Sequence, residues 1–187
     1  GLGTIRRGNN TSTLYEVPAQ QWADITDSGG AYGVTVMNDS KYGWDKPNNN
    51  TLRLTLIHTP SGAYGANSQN VQDRGRNDFT YAIYGHASNW TTGGSVWQAA
   101  RLNQPLLAFQ TTSHTGGLGK SYSFGNISGD AGNPQVVIKA IKKAENSSDI
   151  IVRVHEMRGA AATNVQLTLG SGIASAREVN ASEDNVG

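Results

Sequence analysis

The hydrophobic pattern of this chain consists of short alternating runs rather than long helical periods. Residues 51–58, TLRLTLIH, alternate strictly, with Leu52, Leu54 and Leu56 on one side and polar residues between them. Such alternation is typical of a β-strand with one buried face. The pattern therefore predicts a half-buried strand here, the clearest in the chain.

Other β-rich runs are spread over the rest of the sequence. They lie at residues 31–37, 79–84, 106–109 and 165–169, with edge candidates at 4–7, 14–25 and 174–179. Runs at 136–141 and 150–155 flank a polar turn, which predicts an antiparallel hairpin. Residues 95–102, SVWQAARL, are predicted to form one or two helical turns. Residues 27–30, DSGG, predict a turn, and residues 60–77 and 116–132 predict long loops.

The composition agrees with an all-β fold. The chain has 187 residues, 23 of them glycine, and Asn, Ser, Val, Thr and Tyr are frequent, which favours many short strands joined by turns. Cysteine is absent, so disulfides, thiol nucleophiles and cysteine-based zinc sites are excluded. With 15 Lys and Arg against 14 Asp and Glu and no basic run, binding to nucleic acid is not expected. No apolar stretch approaches eighteen residues, so no membrane-spanning segment is expected.

The residue types that commonly bind metals or nucleotides do not fall into known patterns. The four histidines, His58, His86, His114 and His155, are far apart and lack metal-ligand spacing, so no metal site is expected. His58 and His155 each end a strand and are expected at the surface or an interface. The GGLGKS run at 116–121 has His114 where a P-loop needs its first glycine, which excludes a nucleotide site.

Residues 38–45, NDSKYGWD, combine an amide, two carboxylates, a hydroxyl, an ammonium group and two aromatic rings directly after a predicted strand. Such a cluster is either a binding surface on a rigid scaffold or a turn that caps its own backbone. Asp39 and Asp45 are the best-placed carboxylates for glycoside hydrolysis, but nothing in the sequence indicates the raised pKa that a general acid requires. Trp22 and Trp97 are expected to pack in the core or at its rim.

An ordered set of segments resembles the C-terminal β region of glycoside hydrolase family 38, the α-mannosidases. The segments are GTIRR (3–7), YEVPAQQWADITD (15–27), YGVTVMNDSKYGWD (32–45), TLRLTLIHTP (51–60), DFTYAIYGH (78–86), ARLNQPLLAF (100–109), VVIKAIKKAENSSDIIVRVHEMRG (136–159) and AREVNASED (176–184). WAD followed by NDSKYG is the most specific part. The chain departs from the family at GRNDF (75–79) and in the Asn- and Gln-rich loop at 61–73, which leaves substrate contacts from that loop undecided.

The resemblance implies a fold and a role. Residues 1–135 are expected to form an antiparallel β-sandwich, the later part of a galactose-mutarotase-like supersandwich, and residues 136–187 a small C-terminal β-hairpin subdomain. In the family, the catalytic aspartates and the zinc ligands lie in a preceding N-terminal barrel. The resemblance therefore implies a non-catalytic β domain of a zinc-dependent retaining α-mannosidase, with neither catalytic residues nor a cofactor of its own. Its expected partners are that catalytic barrel and the α-mannoside substrate.

By the same resemblance, five residues are expected to line the substrate cleft: Asp39, Ser40, Lys41, Tyr42 and Gly43. Two alternatives stay open. One is a carbohydrate-binding module in which Trp44, Tyr42 and Trp90 stack on sugar rings. The other is a structural interaction domain whose unpaired sheet edge favours self-association.

Overall fold

A computed structural model describes residues 3–59, 75–129 and 135–186. In these ranges the chain forms short strands and two helices. In chain order they are β1 (Val17–Pro18), β2 (Trp22–Thr26), β3 (Tyr32–Asn38), β4 (Gly43–Asn48), β5 (Thr51–Leu54), β6 (Tyr81–Ala87), α1 (Trp90–Gly93), α2 (Ser95–Asn103), β7 (Gly125–Ser128), β8 (Val136–Lys143), β9 (Ile150–Glu156) and β10 (Gln166–Leu169). All strand pairs are antiparallel. The all-β fold class is thereby confirmed.

The chain divides into two compact units near residue 108. Of the described residues, the first unit contains 5–59 and 75–108, and the second contains 3, 4, 109–129 and 135–186. The subdomain boundary predicted between residues 135 and 136 stays a prediction. Neither described helix has the length and apolar character that crossing a lipid bilayer requires.

The first unit is built on a three-stranded sheet in the order β2-β3-β6. Helix α2 packs on β2 and β3, and α1 packs on β6. Along β3 the side chains alternate, so that Thr35 and Met37 are buried under the helices together with Ser95 and Ala99 of α2. A second sheet, in the order β1-β4-β5, carries Trp44 as its most buried large side chain. The core of this unit therefore mixes apolar with polar side chains.

The two short helices are separated by a glycine. Asn89 caps α1, because its side chain accepts hydrogen bonds from the backbone N–H groups of Thr91 and Thr92. Gly94 then adopts a left-handed conformation at φ 71°, which ends α1 and precedes α2. The prediction of helical turns at residues 95–102 is confirmed.

The second unit contains two antiparallel pairs, β8 with β9 and β7 with β10, and β7 contacts β8. The hairpin predicted from residues 136–141 and 150–155 is confirmed, with a register irregularity between Ile138 and Ala140. The strand predicted at 165–169 is also confirmed, as β10. Its partner β7 was expected to be part of a glycine-rich loop, and that expectation is wrong.

Several other predictions from the pattern are corrected. Residues 106–109 form no strand, and Leu106 and Leu107 are 99% and 92% exposed. Residues 4–7 also form no strand, and 174–179 contribute one isolated bridge, between Val179 and Asn185. The alternating run at 51–58 is a strand only over Thr51–Leu54. Alternation marks a chain that can pair, but a strand also needs a neighbour in register. Most of the long loop predicted at 60–77, and the end of the loop at 116–132, lie outside the described residues.

Candidate functional site

Four of the five residues predicted to line a cleft lie in the turn between β3 and β4, and the fifth, Gly43, begins β4. We call residues 39–42 the β3–β4 turn. Asn38, at the end of β3, is 1% exposed, and its Oδ1 accepts hydrogen bonds from the N–H of Ser40 at 3.1 Å and of Lys41 at 2.6 Å. An asparagine that accepts from the residues two and three positions ahead closes a turn without help from elsewhere. The self-capping turn considered from the sequence is thus present.

Asn38 also fixes the base of this turn. Its N–H donates to the carbonyl of Gln21 at 2.9 Å, and its own carbonyl accepts from Nδ2 of Asn103 at 3.0 Å. Asn103 ends α2, so the turn is tied to the helix as well as to the sheet. The turn is therefore held in one conformation by a buried residue.

The two carboxylates of this stretch are both held in the charged form. The backbone N–H of Thr80 donates to Asp39 Oδ1 at 3.0 Å and, with the Ser40 hydroxyl, lowers the pKa of Asp39 below 3.8. The hydrogen bond from Arg53 Nε at 2.8 Å, with a smaller contribution from Asn10, lowers the pKa of Asp45. A general acid needs the opposite shift, so the geometry does not favour Asp39 and Asp45 as an acid/base pair.

Lys41, Tyr42 and Gly43 occupy different environments. Lys41 Nζ lies 5.1 Å from the ring centroid of Phe79, within the range of a cation–π interaction. Tyr42 is 57% exposed, and its carbonyl accepts from the N–H of Ala19 at 3.0 Å. A Cβ at Gly43 would lie 1.9 Å from Oε1 of Glu16, so a larger residue there would displace that carboxylate.

Trp44 is buried, contrary to the alternative in which it stacks on a sugar ring. Its side chain is 2% exposed, and its Nε1–H donates to the carbonyl of Ala19 at 3.0 Å. Trp90 is half-buried, with its ring centroid 5.5 Å from that of Trp22. The stacking role assigned to Trp44 is therefore wrong, whereas the packing role predicted for Trp22 is confirmed.

The outward surface of the turn consists of Asp39, Ser40 and Tyr42, with Lys41 half-buried beside them. These groups offer a carboxylate acceptor, a hydroxyl and one aromatic ring. Such a surface can hydrogen-bond sugar hydroxyls and contact a sugar ring, but its only carboxylate has a lowered pKa. The arrangement fits contact with a ligand rather than bond cleavage.

A buried polar cluster lies under the sheet, and sequence reasoning missed it. Asp24 Oδ2 lies 2.6 Å from His86 Nε2 and accepts a 2.6 Å hydrogen bond from Thr35 Oγ1, which lies 2.6 Å from Ser95 Oγ. The single hydroxyl proton of Thr35 goes to Asp24, so Ser95 donates to Thr35. The other carboxylate oxygen of Asp24, Oδ1, accepts a hydrogen bond from Thr26 Oγ1 at 2.9 Å.

This cluster is sealed from solvent. The side chains of His86 and Asp24 are 1% and 5% exposed, and Thr35 and Ser95 are fully buried. In the strand register Asp24 aligns with Thr35, and Gly33 aligns with both Thr26 and His86, so these residues share one side of the sheet. The strand order that brings them together is not visible in the local sequence. A serine, a histidine and an aspartate are close here, but a substrate cannot reach them. The cluster is structural.

Among the described residues, no three His, Asp or Glu side chains are placed to hold a metal ion. His58 is exposed, as predicted, whereas His155 is half-buried and His86 is inside the sheet packing.

Comparison with known proteins gives a consistent family assignment. A family model described as "Glycosyl hydrolases family 38 C-terminal domain" matches residues 1–63, and one described as "Glycosyl hydrolases family 38 C-terminal beta sandwich domain" matches residues 135–187. Alpha-mannosidase 2C1 of Homo sapiens is 31% identical over 148 residues, which cover 78% of this chain and 13% of that protein.

Two further relatives extend this finding. Alpha-mannosidase 2C1 of Mus musculus is 31% identical over 157 residues, covering 81% of this chain and 14% of the relative. Alpha-mannosidase G of Dictyostelium discoideum is 26% identical over 170 residues, covering 87% of this chain and 14% of the relative. The chain thus spans about one seventh of the length of the relatives it matches.

Proposed function

We propose a function that follows from the family of this chain, because the chain belongs to the C-terminal region of glycoside hydrolase family 38. It acts as the non-catalytic β domain of an α-mannosidase. It packs on the part of the enzyme that performs the chemistry and contributes a turn to the substrate cleft. The relatives are named as alpha-mannosidases and are about six times as long, so there is ample chain elsewhere to hold the catalytic groups.

The observation that carries the packing role is an apolar sheet face. On the side of the β2-β3-β6 sheet away from the helices lie Ala23, Ile25, Tyr32, Val34, Val36, Tyr81 and Ile83, which we call the outer sheet face. Ile83 pairs with Val36 and is 70% exposed, and Tyr32 and Tyr81 are 64% and 55% exposed. This set contains no charged side chain. A sheet face of this composition is stabilised by another layer, which the rest of the enzyme would provide.

The β3–β4 turn supports the second part of the proposal. Its exposed Ser40 and Tyr42 can contact a sugar, and the hydrogen bonds from Asn38 hold the turn in place. Lowered pKa values at Asp39 and Asp45 argue against acid catalysis by these two carboxyl groups. We assign the five predicted residues to lining the cleft.

Zinc dependence and a retaining mechanism are part of the proposal for the whole enzyme. A structural zinc or catalytic zinc site needs three or four donors around one point. The described residues of this chain contain no such group, so they do not fit a zinc ion and we derive no step through it. Zinc, when bound in the enzyme, would belong to the remaining part of the parent chain.

The first experiment is hydrolysis of an aryl α-mannoside by the purified 187-residue chain, with and without added zinc. We expect no turnover in either case, since the chain offers neither a raised-pKa carboxyl group at the turn nor a metal site among its described residues. A longer parent protein that includes this chain serves as the active control. Zinc-stimulated turnover by the 187-residue chain alone would contradict the proposal.

A further inference from the structure

A groove on the first unit is lined by cationic and amide side chains that the proposed function does not use. It has a volume of about 470 Å³ and is lined by Arg6, Arg7, Gly8, Asn9, Lys46 and Asn49. We call it the basic groove. Its arginines come from the N-terminal GTIRR segment, and its lysine comes from β4.

Hydrogen bonds hold residues 9 and 10 of the N-terminal segment against β4, on one side of the basic groove. The N–H of Asn10 donates to the carbonyl of Lys46 at 2.8 Å, and the N–H of Lys46 donates to Asn10 Oδ1 at 2.8 Å. Nδ2 of Asn10 also donates to Asp45 Oδ1 at 3.2 Å, and Nδ2 of Asn9 donates to Asn49 Oδ1 at 3.0 Å. The N-terminal segment is therefore held against β4 although it is not itself a strand.

The positive charges of the basic groove are not neutralised. Lys46 Nζ donates to two neutral amide oxygens, those of Asn9 and Asn49. Within the ranges 3–59, 75–129 and 135–186, no carboxylate pairs with Arg6, Arg7 or Lys46. Some arginines and lysines elsewhere in the described residues are paired, as Arg53 is with Asp45 at 2.8 Å and Arg76 is with Asp78 at 2.8 Å.

Arg6, Arg7 and Lys46 line one groove although the net charge of the chain is only +1. Their grouping therefore does not follow from an overall basic composition. Placing like charges together without a counter-ion costs electrostatic free energy, and an oxyanion would offset it. The planar guanidinium of arginine matches two oxygens of a phosphate or carboxylate at once, and lysine adds a compact positive charge. Three cations together suit a doubly charged phosphate group better than a single carboxylate.

We propose that the basic groove is a binding site for a phosphate group, carried either by inorganic phosphate or by a phosphorylated sugar. Both guanidinium groups and the Lys46 ammonium contact the phosphate oxygens. The groove is open to solvent, so a sugar ring attached to the phosphate can extend past the amides of Asn9 and Asn49. This site is separate from the β3–β4 turn in the residues that form it.

The test is a titration of the 187-residue chain followed by backbone amide NMR at constant ionic strength, maintained with chloride. The probes are inorganic phosphate, mannose 6-phosphate and neutral mannose. We expect both phosphates to produce saturable shifts at Arg6, Arg7 and Lys46, and mannose to produce none there. Tighter binding of mannose 6-phosphate identifies a sugar phosphate as the preferred ligand, and equal binding identifies the phosphate group alone.

The test variant combines Arg6→Gln with Arg7→Gln. The control variant combines Arg101→Gln with Arg153→Gln, which removes the same charge from exposed positions outside the groove. We expect the first pair to weaken phosphate binding about tenfold or more and the control pair to leave it within about twofold. Equal loss in both pairs, or no saturable shift at the groove with either phosphate, would overturn the proposal. Since the experiment uses no mannosidase activity, its failure leaves the proposed function untouched.

Discussion

His86 Nε2 lies 2.6 Å from Asp24 Oδ2 in the interior of the first unit, with side chains 1% and 5% exposed. The pair joins β6 to β2 across the central strand β3, and Thr35 of β3 donates to the same carboxylate oxygen. The three strands are therefore linked by side chains as well as by their backbone ladder. Gly33 and Gly93 both lie against the His86 ring, because a Cβ added at either glycine would be 2.4 Å from a ring atom. The imidazole is therefore closely enclosed.

We predict that Asp24→Asn destabilises the chain by about 1–3 kcal/mol, because one of the two buried oxygens that accept from Thr26, Thr35 and His86 becomes an NH2 group that cannot accept. Chemical denaturation followed by tryptophan fluorescence measures the change. Asp78→Asn is the matched control, since Asp78 pairs with Arg76 on the surface with both side chains more than 70% exposed. There we expect about 0–1 kcal/mol. A similar small effect at both positions would show that the buried pair contributes little.

Trp44→Phe tests whether this ring is a core residue rather than a sugar-stacking residue. The substitution removes the hydrogen bond to Ala19 and leaves a small void, so we expect a loss of about 1–3 kcal/mol in the free energy of unfolding. Tyr42→Phe is the control, because Tyr42 is exposed, and its effect should stay within about 0.5 kcal/mol. An unchanged denaturation midpoint for Trp44→Phe would mean that the ring is not packed as described.

The lowered pKa of Asp39 gives a prediction for pH. Ser40→Ala removes one donor to this carboxylate, so the pKa of Asp39, followed by NMR of its carboxyl carbon, should rise toward 3.8. A lowered folded-state pKa stabilises the fold above the ordinary value, and this contribution is lost as pH falls through the folded-state value. The free energy of unfolding of the Ser40→Ala chain should therefore differ from that of the unsubstituted 187-residue chain above about pH 4. The two values should converge in stronger acid. Ser28→Ala, in the exposed turn after Asp27, should leave the Asp39 titration unchanged.

Ile83→Thr probes the outer sheet face in two contexts. In the 187-residue chain Ile83 is 70% exposed, so the change should stay within about 0.5 kcal/mol. In the parent enzyme the hydroxyl introduced by Ile83→Thr would be buried at an interface. We expect the free energy of unfolding to fall by about 1–3 kcal/mol there. Ile57→Thr, at an exposed position outside this face, should have a small effect in both proteins. Equal small effects of Ile83→Thr in both proteins would locate the interface elsewhere.

The fold was predictable where the sequence alternates and where a strand finds a neighbour. The runs at 31–37, 136–141 and 150–155 became strands because each has a partner in register. The run at 106–109 has the same apolar character but no partner among the described residues, and alternation alone does not reveal this. The reverse error occurred at β4, where turn-forming residues concealed a strand that starts at Gly43.

The β3–β4 turn was predictable from its residue types, whereas its contacts were predictable only in part. Asn and Asp in a turn indicate capping, and Asn38 does cap the turn. The burial of Trp44 was not readable from its neighbours, because it depends on the packing of the β1-β4-β5 sheet. The pairing of Asp24 with His86 spans 62 positions along the chain, and such contacts follow from strand order rather than from local sequence.

The central claim is that this domain lines the cleft of an α-mannosidase without performing its chemistry, and steady-state kinetics of the parent enzyme carrying Tyr42→Ala tests it most directly. Loss of about 1 kcal/mol of substrate contact should raise KM roughly fivefold and leave kcat nearly unchanged. Tyr15→Ala is the control, since Tyr15 is 61% exposed and lies outside the turn. Unchanged KM, or a large loss of kcat at constant KM, would contradict the account.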